Sequence, residues 1–565
     1  MKLPFTNKIL MKMKNLTHKI PVFLLFLTVL LGCQNNSRDE SVSASTEFDV
    51  VILNGRVMDP ETSFDAVRNV GVLDGKIALI TEDEISGKET IDATGHVVAP
   101  GFIDTHNHWQ RVMGYKIALR DGVTTSFDLE FGTLGSRVAE WYAIREGKTQ
   151  MNYGTASSHE GARSIVLDQC DAMWDAPTAL TCRANYHGWS DTIPSLEQGN
   201  EILKIIDKGL ADGAVGIGAT LGYFRNGATA REVYEVQKVG SRYGRQYGAH
   251  NRYTVGNSTT EPNGAQEIIA NGLSLGAPVL VCHYNNAGWD VIHEMILNLQ
   301  GKGFNVWGEI YPYSAGQTNA GAVFLQPAIF EKQLGYKYEE SISDPVTGKF
   351  FTREEFLETA KNDGGKEILF YKQPEENVEK WLRLEGVALA NDALMALDHD
   401  APWDTPYDSL QGLHPRTGGA RGLALRYARE KNIPLMSVLN QLSYVSAKHL
   451  GDMGLESMQK RGRLQEGMIA DIVIFNPETI TDNSTYAVAW KPTTGMKAVL
   501  VNGTVVVKED QVLEVYPGEP IRFEPVEPKF EAVGKEQWVE RFMVGIELEG
   551  EGCLPTPETH PEHFK

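Results

Sequence analysis

Two histidines one residue apart, His106 and His108, follow the run Val97-Val98-Ala99-Pro100-Gly101-Phe102-Ile103-Asp104. On a strand, residues two apart face the same way, so both imidazoles can converge on one ion. His250 follows Tyr247-Gly248-Ala249, His283 closes Val279-Leu280-Val281-Cys282, and Asp398 closes Ala393-Leu394-Met395-Ala396-Leu397. A polar group ending an apolar run is costly to bury unless a partner waits for it. One such residue can be a hydrogen-bonded histidine under a loop. Four strand ends in agreement point instead to a metal held by imidazoles, with a carboxylate beside it to move protons.

Residues of this kind need strands that deliver them to one place. The stretch 101–455 alternates apolar strand-like runs, among them 214–219, 278–283, 305–310 and 393–398, with helical segments. That alternation is the pattern of βα units on a parallel sheet, and barrels of this kind place their sites at the carboxyl ends of the strands. The fold expected is α/β, a (β/α)8 barrel. Residues 324–385 break the rhythm with charged and aromatic residues and read as an inserted subdomain. Residues 49–100 and 456–525 read instead as short strands and turns, with Asn54-Gly55, Asp74-Gly75 and Asn502-Gly503 as hairpin signals. Together these flanks would make a small β-sandwich, leaving 526–565 as a tail.

A chain of 565 residues with 42% hydrophobic and 22% charged residues suits a folded, multi-domain body. Its net charge of −21 argues against nucleic acid as a partner. Residues 1–32 read as a signal peptide: Lys8, Lys12, Lys14 and Lys19 precede an apolar stretch from Pro21 to Leu31. That stretch falls short of the roughly 20 residues a spanning helix needs. Leu30-Leu31-Gly32-Cys33 resembles a bacterial lipoprotein box, which implies lipid on Cys33 after cleavage before it, with 33–48 as a polar tether. The expected location is the periplasmic or cell-surface side of a bacterial membrane, held by that anchor alone. Of the later cysteines, Cys170 and Cys182 are either a pair or buried thiols.

Several segments carry a family resemblance. Gly101 through His108, Gly122-Val123-Thr124-Thr125, and Arg461-Gly462 with Gly467 and Ala470-Asp471 resemble the amidohydrolase superfamily. His159 with Arg163, Ala249-His250-Asn251-Arg252, Tyr311-Pro312-Tyr313 and His414-Pro415-Arg416 resemble its D-aminoacylase (N-acyl-D-amino-acid deacylase) branch. The resemblance spans about 49–510. It implies one or two zinc ions on His106, His108, His250 and His283, with Asp398 as general acid/base, and hydrolysis of N-acyl-D-amino acids by activated water. In that branch a cysteine after the Gly-Val-Thr-Thr strand joins the metal. Here Ser126-Phe127-Asp128-Leu129-Glu130-Phe131-Gly132 offers neither cysteine nor lysine. Glu130 is the expected replacement, since a carboxylate is a competent zinc ligand, and Asp128 is its rival.

The remaining roles follow from chemistry. Arg416 is expected to fork onto a substrate carboxylate, and Tyr311 to hydrogen-bond the carbonyl oxygen as charge develops. His159 and Arg252 are further substrate contacts. Arg225, Arg252 and Lys372 could meet an acidic side chain, which would suit N-acyl-D-glutamate. Trp109, Trp289 and Trp403 could line an acyl pocket or pack in the core. The alternatives are a cyclic amidase of the hydantoinase or dihydroorotase type, an isoaspartyl dipeptidase, or a binding lipoprotein that has lost catalysis. An arginine for a free carboxylate favours the deacylase, because a hydantoin has none.

Overall fold

The computed structural model describes residues 43–538 apart from 171, 173 and 255–261. The expected signal peptide and the expected lipidation site Cys33 lie outside these residues, as does Cys553. No helix among the described residues is long and apolar enough to cross a membrane.

The amino-terminal flank supplies β1 (Glu47–Asp59), β2 (Phe64–Leu73), β3 (Lys76–Thr81), β4 (Ser86–Asp92) and β5 (Val97–Pro100). Asp74 and Gly75 both take positive φ and close the β2–β3 hairpin as expected. Asn54-Gly55 does not turn the chain. It forms a bulge inside β1, where the register against β2 shifts. Glycine is required there because a Cβ would come within 2.4 Å of Val98.

Eight parallel strands then form the barrel wall: β6 (Phe102–Asp104), β7 (Val123–Thr133), β8 (Asn152–Ser158), β9 (Gly216–Ala219), β10 (Gln246–Ala249), β11 (Val279–Val281), β12 (Val306–Ile310) and, after an insertion, a last one. The insertion is a three-stranded antiparallel sheet of β13 (Ala315–Asn319), β14 (Ile342–Ser343) and β15 (Glu367–Tyr371). Its own core contains Leu325, Phe330, Tyr338, Ile342, Phe356 and Ile368. It thus starts directly after β12, earlier than the expected residue 324.

The last barrel strand is β16 (Ala388–Leu389), paired with β12, and not 393–398. Residues 394–397 form a loop in which Met395 and Ala396 pack on Trp109, Met113 and Leu413. The wall closes just beyond the strand ends, where His108 N donates to Ala393 O at 3.0 Å.

The chain returns to the first sheet as β17 (Ile472–Phe475), β18 (Met496–Val501), β19 (Thr504–Lys508) and β20 (Gln511–Val512), giving nine strands in one hydrogen-bonded sheet. It curls on itself around Val50, Ile52, Val70, Val72, Ile472, Leu500 and Val505. The two hairpin tips meet so closely that a Cβ on Gly503 would lie 2.8 Å from Gly75 Cα. Residues 518–523 run along the amino end of the barrel, where Tyr153 N donates to Glu519 O and Ile521 N donates to Tyr153 O. Cys170 and Cys182 are joined by a disulfide, and Cys282 is a buried free thiol.

Candidate active site at the barrel mouth

Every barrel strand but β8 and β9 carries a chemically loaded residue in or just past its carboxyl end, and these residues converge on Glu130. Its Oε2 lies 3.2 Å from His106 Nε2 and 3.5 Å from His108 Nε2. Its Oε1 lies 2.7 Å from His283 Nε2 and 3.4 Å from His250 Nδ1. Asp392 completes the set, with Oδ1 3.5 Å from Nε2 of both His106 and His108. His283 and Asp392 both have positive φ, 27° and 48°. Left-handed backbone is unfavourable for side chains of this kind, and such strain gathers at functional sites.

The acid in the cluster is therefore Asp392, and the expectation for Asp398 is corrected. Asp398 is exposed, beyond the loop that packs on Trp109, and makes no contact with the histidines. Asp392 stands just past the two-residue strand β16, after Ala390 and Asn391, whereas the apolar run before Asp398 is loop. Glu130 and Asp128 differ in position. Asp128 sits behind His108, its Oδ2 3.0 Å from Nδ1, and Glu130 faces the cluster.

Behind His106 stands an acid that the sequence reading passed over. Glu309 in β12 is fully buried, places Oε1 2.5 Å from His106 Nδ1, and accepts a short hydrogen bond from Thr105. The signal was a glutamate inside the otherwise apolar Val306–Ile310.

These contacts test whether the residues fit a metal. With Nδ1 of His106 donating to Glu309 and Nδ1 of His108 to Asp128, each ring turns its Nε2 lone pair inward. The two Nε2 atoms are 3.0 Å apart, a repulsive arrangement unless a proton or metal ion lies against them. Four imidazoles and two carboxylates are a zinc-type donor set. Glu130 divides them into two half-sites: His106, His108 and Asp392 on one side, His250 and His283 on the other. Candidate ligand groups are His106–His108–Asp392 and His106–Glu130–His283.

The electrostatics agree. Burial works against charge on His106 and His108, but the acids around them prevail and hold both well above the ordinary imidazole range: Glu130, Asp392 and Glu309 act on His106, and chiefly Asp128 on His108. Burial opposes ionisation of Glu130 too, yet His106 and His283 hold it well below the usual carboxylate range. For Asp392 the same burial is outweighed by Arg416 and His106, which lower it. His283 is pushed down to about 4, by burial first, with Glu130 opposing.

Of the expected substrate contacts, Tyr311 lines the cavity over the cluster. Arg416 is fully buried, with its guanidinium 4.4 Å from the Tyr311 ring and NH1 2.9 Å from Asp392 Oδ2. Apart from that ion contact, none of its three side-chain nitrogens makes a well-directed hydrogen bond. His159 is not at the cavity. It is buried against Glu232 at 2.9 Å, in a network shared with Arg163.

Arg252 borders the cavity, but its Nε and NH2 are spent on Glu267 and its NH1 on Ala228 O. Both residues act as scaffold because later helices bring the glutamates that pair with them. Lys372, from the insertion, does reach the cavity. Its Nζ meets Asn286 Oδ1 at 2.5 Å and lies 4.8 Å from the Tyr311 ring, with no carboxylate partner among the described residues. Burial, and then Arg416, push it down to about 7. Trp109, Trp289 and Trp403 do not line the cavity.

No family model matches the chain. The chain is 25% identical over 503 residues to D-aminoacylase of Alcaligenes xylosoxydans xylosoxydans, covering 83% of this chain and 96% of that protein. It is 24% identical over 490 residues to the same organism's N-acyl-D-glutamate deacylase, covering 81% and 94%. Among solved structures, N-acyl-D-glutamate deacylase of Bordetella bronchiseptica, complexed with zinc and a phosphonate inhibitor, superposes with a TM-score of 0.67 at 21% identity. That match covers 85% of this chain and 100% of the other, and shows the shared fold. Both curated relatives are matched over nearly their whole length, so the chain is similar to D-aminoacylase and to N-acyl-D-glutamate deacylase across almost all of each.

Proposed function

We propose that this protein is a zinc-dependent hydrolase of N-acyl-D-amino acids, exported and anchored by lipid on Cys33. The observation that carries the reading is the Glu130-centred cluster of four histidines with Asp392 beside it, at the mouth of a barrel. His106, His108, Glu130, His250 and His283 would hold one or two metal ions. Bound zinc polarises a carbonyl and brings the pKa of water near 7.

The protein's own groups then do the proton work. Asp392 takes the proton of the attacking water and passes it to the departing nitrogen. Arg416 keeps Asp392 anionic and orients it. Tyr311, held neutral by burial, donates to the carbonyl oxygen as charge develops. Lys372 reaches the cavity without an acid beside it, and a free carboxylate on the substrate would supply one. A hydantoin cannot do this, which favours the linear amide over the cyclic one. The D configuration is supported by the names of the two curated relatives.

Export is supported by the basic and apolar leader, and by the Cys170–Cys182 disulfide, which needs an oxidising compartment. The test is a panel of N-acetyl-D- and L-amino acids, including D-Glu, D-Asp and D-Leu, offered to the zinc-loaded protein. Chelator-sensitive release of the free D-amino acid is expected. Release from L isomers alone, or from none, would overturn the reading.

A further inference from the structure

The cavity over the cluster extends onto the insertion. Phe324, Ile329, Leu334 and Phe370 line it, and each is only partly covered by protein. Across from them Leu180 and Leu394 add apolar surface.

This wall is continuous with the reacting centre. The rings of Tyr311, His283, His250 and Phe324 form a row, with centroid separations of 6.2, 4.7 and 5.8 Å. Lys372 reaches the cavity beside Tyr311, at one end of the row, and the apolar wall begins at Phe324, at the other. An amide bound across the histidines with its carboxylate toward Lys372 sends its acyl group toward Phe324.

We infer that the insertion is an acyl-chain gallery, and that the preferred substrates carry an extended apolar acyl group on nitrogen rather than acetyl. This rests on the proposed amide hydrolysis for its orientation. Apolar transfer supports it: each methylene brought from water to such a wall favours binding about four-fold, so hexanoyl should exceed acetyl by up to on the order of a hundredfold.

The experiment uses the zinc-loaded protein and two series, N-acyl-D-alanines from acetyl to octanoyl and N-acetyl-D-amino acids of increasing apolar side chain. kcat/KM is measured by amine release, and affinity by calorimetry. The expected result is a steep gain along the acyl series and little along the side-chain series. Ile329→Gln and Leu334→Gln, made separately, should each cut the gain while leaving acetyl substrates unchanged. A flat or falling acyl series in both rate and affinity would overturn the inference, as would a gain confined to the side-chain series. Affinity that climbs with acyl length while no compound is cleaved would sink the hydrolase reading and leave the gallery standing.

Discussion

The assignment of Asp392 is open to a direct contrast, Asp392→Asn against Asp398→Asn. At position 392 the amide keeps the shape but cannot take a proton from water at neutral pH. General acid/base catalysis contributes roughly 10²- to 10⁴-fold, so kcat should fall by about 10³. A second cost comes from the ion pair. Asp392 Oδ2 is 2.9 Å from Arg416 NH1, and the two side chains are 13% and 1% exposed. Removing one partner of a buried pair costs roughly 3–5 kcal/mol; the amide keeps a polar oxygen beside Arg416, so the loss should fall at or below the lower figure.

Asp398→Asn alters an exposed loop residue, and surface changes of that kind stay within about 0.5 kcal/mol. Its kcat should stay within about two-fold of the parent. The assay is release of D-amino acid at saturating substrate, with zinc content measured by emission spectroscopy and melting followed by circular dichroism. A folded, zinc-replete Asp392→Asn enzyme working within ten-fold of the parent would refute the reasoning. So would an inactive Asp398→Asn.

Glu130→Ala should drop bound zinc below that of the parent and abolish turnover, because both half-sites lose their shared carboxylate; unchanged metal content would remove Glu130 from the ligand set. Lys372 is held near 7 by burial and by Arg416, with Asp392 and Glu130 as the opposing charges. It should carry its proton below about pH 7 and lose it above. KM for carboxylate substrates should therefore rise with pH through that range, and Lys372→Met should raise KM and flatten the profile; an unaltered pH profile of KM would exclude the lysine. The Cys170–Cys182 bridge closes a short loop, at a sequence separation of 12. By chain entropy Cys170→Ser with Cys182→Ser should destabilise by about 3 kcal/mol, read as a lower melting temperature that reductant no longer shifts. Cys33→Ser should move the protein from the detergent to the aqueous phase and end its labelling with radioactive fatty acid; persistent labelling would place the lipid elsewhere.

What the residues disclosed in advance was set by how local each signal was. His106 and His108 were readable because strand parity is a local rule, and His250 and His283 because each interrupts an apolar context at a strand end. Glu130 stood out as a carboxylate where the branch has cysteine. Asp392 was hidden because β16 is only two residues long, while the loop after it holds a longer apolar run that pairs with nothing. Packing on Trp109 and Met113, distant in sequence, is what keeps that run apolar.

His159 and Arg252 misled for a related reason. A charge at a strand end looks free until the fold supplies Glu232 and Glu267 from later helices. The insertion's first strand was also unreadable: Ala315-Gly316-Gln317-Thr318-Asn319 has weak strand character and is fixed by pairing with β15, some fifty residues on.

The charge balance explains why these errors left the chemistry intact. Glu130, Asp392, Asp128 and Glu309 all lie within contact of the histidines, and Arg416 is the permanent cation among their partners. With neutral imidazoles the cluster is strongly negative and almost wholly buried, a state a protein interior does not tolerate unpaired. Protons on His106 and His108 can offset part of it, which is why both are held far above the ordinary imidazole range. Divalent cations offset more and release those protons as they bind. A site built this way selects for metal through its net charge as well as its donor geometry. The carboxylate at 130 suits that role: an oxygen toward each half-site lets one charge serve two cations, which a histidine in its place could not do.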